Sequence, residues 1–382
     1  MRACRIFILL FGILLVFTSG CGPTEPAVED SGLAVLAQRA DDYTQAKPGQ
    51  PLRFPRDHGA HPGYRIEWWY LTANLHDEAG ESYGVQWTLF RLAVQPPNPP
   101  GTENSAQNSQ VFMAHMAITT PTDHLSFQRY ARGGGAEDES RAGVTARPFS
   151  AWLDDWQLSS SGADWLPLEV RARQADNAMS LQLKGTAPLV LQGDAGFSAK
   201  HGDGGGSYYY SQPFLEASGQ LTVDGQVIPV SGDAWLDREW SSQFLQSEQV
   251  GWDWFSLHLE SGEKLMLFQV RAQPGQADVE NFLHGSLIAP DGTSTSLERD
   301  QIELIPMQKS RVAGRNLPLH WRILLPQVNR QFEIRPLVTD QWMDVDFPYW
   351  EGAVIISGDG PGNRGVGYME LTGYPMAAST DR

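Results

Sequence analysis

From Arg65 onward the chain is a succession of alternating segments: RIEWWYLTANL, YGVQWTLFRLAV, VFMAHMAIT, LEVRARQ, MSLQLKG, GQLTVDGQVIPVSGDAWLD, WDWFSLHLE, EKLMLFQVR, FLHGSLIAP, HWRILLP, RQFEIRPLV and EGAVIISG. Their apolar period is two, the period of a strand with one buried face. Hairpin signals join neighbours, VDGQ at Val223 to Gln226 and ESGEK at Glu260 to Lys264. Few long helical periods interrupt the pattern, which predicts an all-β protein of antiparallel barrels or sandwiches. Gln95 to Gln110, Arg132 to Ser140 and HGDGGGS at His201 to Ser207 read as loops. No helix start follows HGDGGGS, so it is not read as a phosphate loop.

At 382 residues the chain predicts two domains. GDAWLDREWSS, from Gly232, reads as the close of one set of strands and the opening of another. The expected division is therefore 51–236 and 237–376. Residues 1–20, with two arginines and an apolar run from Ile6 to Phe17, read as a secretory leader. TSGC then reads as a lipobox with Cys21 as the lipidated first residue; a plain cleaved signal is the alternative. Residues 21–50, rich in Pro, Glu, Asp and Ala, read as a tether. These features predict an exported, lipid-anchored protein on the periplasmic side of a membrane.

The chain has two cysteines, Cys4 in the leader and Cys21, so no disulfide is expected in the mature domains. The formal charge is −17, and −19 once Arg2 and Arg5 leave with the leader (26 − 45). A nucleic-acid partner is not expected from such a balance. Membrane attachment would rest on acyl chains at Cys21 rather than on a basic patch.

Thirteen tryptophans are well above ordinary usage, and Trp68, Trp69, Trp87, Trp235, Trp240, Trp252 and Trp254 concentrate in a few segments. They suggest an aromatic-lined cavity. Strand alternation places Glu67, Trp69 and Leu71 on one face and Trp68, Tyr70 and Thr72 on the other. In AWLDREW it places Trp235, Asp237 and Glu239 together, opposite Leu236, Arg238 and Trp240. A carboxyl among aromatic rings loses hydration and becomes a proton donor near neutral pH. Glu67 and Asp237 are the candidate acids on this ground, with a structural anchor as the other reading of each.

Other chemistries are weaker. G-x-S-x-G and H-E-x-x-H are absent from the sequence, and no cysteine nucleophile remains after the leader. His58 and His61 have a spacing a metal can use, yet no third ligand is evident, and no metal or other cofactor is expected. His115 reads as a core histidine, and Tyr208 to Tyr210 read as packing.

FPRDHGAHPGYRIEWWYLTANL, GVQWTLFR, YYYSQPFLEASGQL, GDAWLDREWSSQFL, GWDWFSLHLESGEKLMLFQVR and YWEGAVIISG with GVGYMELTGY together resemble the AttH proteins. AttH is the secreted branch of a lipocalin-like superfamily that also holds carotenoid 1,2-hydratases (hydroxyneurosporene synthases) and fungal pericyclases. The resemblance runs from about Phe54 to Tyr374 and implies two lipocalin-like domains with an apolar pocket. Around DREW the hydratases resemble DHNW, so Arg238 stands where they have a histidine while Trp240 matches. Gln269 falls near an expected acidic residue. Both departures argue against simple carotenoid hydration.

The resulting expectation is an envelope lipoprotein that binds a long apolar molecule, an isoprenoid or lipid, with acid-assisted hydration or rearrangement. Glu67 and Asp237 would be the acids, Glu239 their partner and Arg238 an orienting charge. Trp69, Tyr70, Trp240, Trp252 and Trp254 would line the pocket. A non-catalytic carrier serving an envelope ABC-type transporter is the alternative. A secreted hydrolase using Asp237 and Glu239 is the third reading, although two carboxylates on one strand are badly placed to flank a scissile bond.

Overall fold

The computed structural model describes residues 41–96, 110–133, 141–202, 204–274 and 280–377. Cys21, the leader and most of the expected tether lie outside the described residues. Within them the chain is almost entirely strand.

The first sheet contains β1 (Ile66–His76), β2 (Ser82–Ala93), β3 (Gln110–Thr119), β4 (His124–Gly133), β5 (Ala142–Ala146), β6 (Phe149–Leu153) and β7 (Trp156–Ser160). It continues through β8 (Leu168–Gln174), β9 (Asn177–Gly185), β10 (Val190–Leu191), β11 (Phe197–Ala199), β12 (Gly206–Val223) and β13 (Gln226–Ser241). The second contains β14 (Gln249–Leu259), β15 (Lys264–Ala272), β16 (Phe282–Ile288), β17 (Ser294–Leu297) and β18 (Glu303–Val312). Its remaining strands are β19 (Arg315–Leu325), β20 (Arg330–Pro336), β21 (Trp342–Met343), β22 (Tyr349–Ser357) and β23 (Gly365–Leu371).

In each sheet the first strand pairs antiparallel with the last, β1 with β13 and β14 with β23. The first sheet curls into a nearly closed barrel and the second into a half-barrel, the two lipocalin-like β domains expected. Each encloses its own core, around Trp69, Trp87 and Trp156 in the first and Phe255, Trp321 and Trp350 in the second.

The long β12–β13 hairpin turns at Asp224 and Gly225, both with positive φ (48° and 80°). The Asp-Gly pair suits such a turn because aspartate tolerates the left-handed region and glycine has no Cβ to clash there. β14 and β15 close through the second predicted hairpin, with His258 opposite Lys264.

β13 runs unbroken from Gln226 to Ser241, so the two sheets divide between Ser241 and Gln249 rather than at residue 236. Gly232 sits inside the strand between Leu75 and Ala217. A Cβ there would lie 2.0 Å from the Asn74 carbonyl oxygen, so close backbone approach explains the glycine. The described part of the expected tether, residues 41–50, is docked onto the first domain. Ala46 is buried beside Tyr208 and Trp240, the Tyr43 hydroxyl donates to the Ala93 carbonyl (3.0 Å), and the Lys47 amide donates to the Tyr208 hydroxyl (3.1 Å).

A third core joins the domains, with Tyr70, Tyr209 and Trp235 from the first packed against Trp254, Met266, Phe268 and Tyr368 from the second. This explains why β1 is buried on both faces: one looks into its own barrel and the other at the second domain. Asn74 donates to the Gly367 carbonyl (2.9 Å) and Tyr70 to the Glu351 carboxylate across the same boundary.

Candidate active site

The two faces of β1 and β13 carry different chemistry. Register pairs Glu67 with Trp240 and Trp69 with Arg238, so these four side chains share the inner face of the first barrel. Tyr70 pairs with Asp237 and Trp68 with Glu239, which places them on the face toward the second domain. The register of β1 against β13 therefore separates the two candidate acids.

On the inner face Glu67 is fully buried and ion-paired with both Arg91 and Arg238, each also buried. The His61 amide donates to both carboxylate oxygens, at 2.9 and 3.1 Å. Burial alone would raise its pKa, but the two guanidinium charges and the His61 contact outweigh burial and hold it well below the carboxylate range. Glu67 is thus an anionic anchor, the opposite of a poised acid.

Arg238 belongs to the same anchor. Its guanidinium lies 3.8 Å over the Trp69 ring and 4.9 Å from Trp240, and it donates to the Gly59 carbonyl (2.6 Å). Trp69 donates to the His58 carbonyl (2.9 Å), and Trp240 stacks on His61 at 4.0 Å. The expectation that Arg238, Trp69 and Trp240 would serve a pocket beside Asp237 is corrected by their facing inward. A cleft of about 360 Å³ lies over this cluster, lined by Arg56, Asp57, His61, Tyr64, Tyr208 and Trp240 among others. Its ionic groups are tied to one another: Asp57 pairs with Arg56 (2.5 Å) and faces His61 (3.4 Å).

On the other face a cavity of about 80 Å³ lies between the domains. The first domain supplies Trp68, Tyr70, Lys200, Tyr209, Asp237 and Glu239 to its wall; the second supplies Trp252, Trp254, Phe268, Tyr349 and Glu370. Phe244, from the connection between sheets, completes the apolar side. The partly exposed residues Ile66, Trp68 and Trp252 mark its approach from solvent. Of the predicted lining residues, Tyr70, Trp252 and Trp254 are here, with Asp237 and Glu239.

Asp237 is held from three directions. Trp235 Nε1 and the Ser211 hydroxyl donate to Oδ1, and the Tyr209 hydroxyl donates to Oδ2, each at 2.6 Å. Trp254 Nε1 donates in turn to the Tyr209 oxygen (3.2 Å), linking the second domain to the carboxyl. Burial pushes Asp237 up to about 7 despite these donors, and the Glu239 charge adds to the rise. Glu239 pairs with Lys200 (2.8 Å) and accepts from Ser207.

The second domain brings Glu351 and Glu370, opposite one another on β22 and β23. Burial pushes both above the carboxylate range, with the Glu370 charge adding to the rise of Glu351 and the Glu239 and Asp237 charges to that of Glu370; Tyr70 donates to Glu351. The Tyr349 hydroxyl, which lines the cavity, lies 2.9 Å from His115 Nδ1. His115 is fully buried, and desolvation lowers its pKa to about 3, so it is neutral.

Sequence reasoning missed Glu351, Glu370, Lys200, Tyr349 and Phe244, and read Tyr209 as packing in preference to ligand contact. A signal existed for the glutamates, since each interrupts an apolar strand, in YWEGAVIIS and GVGYMEL. Lys200 had none, because its loop delivers it from outside any alternation. Gln269 donates to Asp253 Oδ2 (2.6 Å) in a cluster with Arg271 and Tyr374, away from the cavity wall formed by its neighbours Phe268 and Val270. Among the described residues no group of three or more His, Cys, Asp or Glu side chains is arranged to hold a metal ion.

Two lipocalin-like domains with an acid-bearing aromatic cavity between them define the class. The chain belongs to the AttH-like family, whose profile matches residues 45–374. A Nitrosomonas europaea protein provisionally assigned to AttH is 36% identical in its crystal structure, covering 87% of this chain and 100% of its own, at a TM-score of 0.74. Kievitone hydratase from Nectria haematococca shares the fold at 16% identity and a TM-score of 0.61, covering 88% of this chain and 96% of its own. CghA, solved with Sch210972, does so at 13% identity and a TM-score of 0.55, covering 90% and 98%. No curated protein matches the chain.

Proposed function

We propose that the protein takes the reactive end of an apolar molecule, an isoprenoid or lipid, into the interdomain cavity and performs acid-assisted hydration or rearrangement there. The observation that carries this reading is Asp237, a carboxyl buried in an aromatic enclosure without a cationic partner, where desolvation pushes it up to about 7. Proton delivery to an unactivated alkene carbon needs an acid in a dry site, and ring faces stabilise the cation that results. The cavity is below the roughly 300–1,000 Å³ typical of drug-sized ligands, so only one end of a long molecule enters it as it stands.

In the hydration reading the Asp237 proton and the alkene π pair form a new C–H bond, leaving a cation on the more substituted carbon. Water then forms the C–O bond and its surplus proton returns to the Asp237 carboxylate left by the first transfer, so the acid is regenerated and the net change is one water. Glu67 has no part in this chemistry; it fixes the end of the barrel from which β13 projects Asp237. A hydratase with the same fold lends the reading support, although that likeness is one of fold.

Export and anchoring through Cys21 are part of the proposal and rest on the leader and TSGC. A carrier serving an envelope ABC-type transporter is the second reading, favoured by the cavity alone if Asp237 performs no reaction. The test is to incubate the chain lacking the leader with a lipid extract of its source organism, and to follow retained molecules by native mass spectrometry. A retained alkene that gains one water, with the gain lost in Asp237→Asn, supports hydration. Retention unchanged in mass and unaffected by Asp237→Asn points to the carrier, and no retention by the folded protein overturns both.

A further inference from the structure

The cavity already holds one organic cation, its own. Lys200 is 2% exposed, yet its ammonium lies 4.0 Å from the Phe268 ring centroid and 5.2 Å from those of Tyr209 and Phe244. Glu239 supplies the counterion. Lys200 is the sole cation among the lining residues, against Asp237, Glu239 and Glu370, with Glu351 behind them. Trp68, Trp252 and Trp254, none of them in ring contact with Lys200, line the same cavity beside Asp237 and Glu370, the two carboxyls without a cationic partner on its wall.

We infer that the cavity recognises organic cations: a small quaternary or tertiary ammonium group seats against Trp68, Trp252 and Trp254, with Asp237 and Glu370 as its counterions. This deepens the proposed function and rests on it, because surroundings that stabilise a passing carbocation also hold a stable cation of the same shape. An acidic surface patch would offer charge without enclosure. Here the charge is enclosed by ring faces that answer positive and not negative charge.

Binding of a cation requires ionised carboxyls, so it is linked to proton release. Asp237 accepts from Tyr209 and Ser211 on β12 and Trp235 on β13, while Tyr70 on β1, Lys200 before β12, Glu239 on β13, Trp254 on β14, Tyr349 on β22 and Glu370 on β23 line the same cavity, with Glu351 behind Glu370. Burial and the Glu239 charge keep Asp237 protonated below about 7. Cation affinity therefore rises with pH through that value.

The experiment compares choline with its neutral isostere 3,3-dimethylbutanol by calorimetry at pH 6 and pH 8, in buffers of different ionisation enthalpy. Choline is expected to bind about tenfold more tightly than the alcohol at pH 8. Its affinity should fall by up to about tenfold per unit below pH 7, with proton release on binding. Ile66→Trp, which fills the approach to the cavity, should abolish the choline signal. Equal affinity for the two probes overturns the inference while leaving the apolar-pocket reading intact, and so does choline binding that is insensitive to pH or survives Ile66→Trp. If neither probe binds, the inference falls, and the lipid-retention experiment decides the proposed function independently.

Discussion

Glu67 and Asp237 stand on adjacent paired strands but project from opposite faces of one sheet, Glu67 opposite Trp240 and Asp237 opposite Tyr70. Both are buried, but one carboxylate is enclosed with two arginines and the other with none, and that difference does most to separate their protonation. Glu67→Gln is therefore a stability change. It leaves Arg91 and Arg238 buried without their counter-anion, which typically costs about 3–5 kcal/mol. Urea unfolding at pH 7 should show that loss, whereas a variant as stable as the parent would mean the cluster is not an anchor.

Asp237→Asn should behave differently. The folded Asp237 binds its proton up to about pH 7, whereas an unfolded aspartate releases it near 4, so the folded state holds the extra proton in between. Stability from this group is therefore present at low pH and lost as pH rises through that window, at about 1.4 kcal/mol per unit. Asparagine carries no such proton. The parent should lose stability relative to Asp237→Asn between pH 4 and pH 7, read from paired urea titrations. Glu351 and Glu370 titrate in both proteins, so the difference between the curves reports chiefly on Asp237.

Within each strand the faces were legible in the sequence, because a period of two separates Glu67 and Trp69 from Trp68 and Tyr70, and Asp237 and Glu239 from Arg238 and Trp240. What alternation within a strand does not give is which face meets which neighbour. Glu67 reads as an acid in an apolar room only until Arg91 arrives from β2 and Arg238 from β13. The acids of the second domain were hidden for the same reason, since Glu370 becomes a site residue only when β23 is laid against Asp237's face of the first barrel. The boundary drawn at 236 falls inside β13 because GDAWLDREWSS carries the end of the first sheet's last strand, and its alternation does not mark where pairing stops.

The fit between the domains should be sensitive at Gly84. A Cβ added there would lie 2.6 Å from the Tyr368 hydroxyl and 2.8 Å from Ala353 Cβ, both of the second domain. Gly84→Ala should cost about 1–3 kcal/mol as overpacking. Tyr368→Phe in the same chain should recover part of the loss, not all, because Ala353 remains in contact. Thermal melts of the two single variants and the double one give the comparison, and a Gly84→Ala protein with unchanged melting would show that the joint yields freely.

Lys200 and Glu239 should act as one unit. Each is almost fully buried, they lie 2.8 Å apart, and Lys200 reaches the cavity from a loop while Glu239 is fixed on β13. Lys200→Met leaves a buried carboxylate with only the Ser207 hydroxyl to answer it, and Glu239→Gln leaves a buried ammonium among rings. Either change should cost about 3–5 kcal/mol, while the double variant, with no charge left to solvate, should regain much of that. A coupling energy of about 2 kcal/mol or more in the double-mutant cycle is the expected outcome. Simple additivity would mean that the ring faces, not the carboxylate, hold Lys200 in place, and Glu239 would then be free to serve as an anion of the cavity itself.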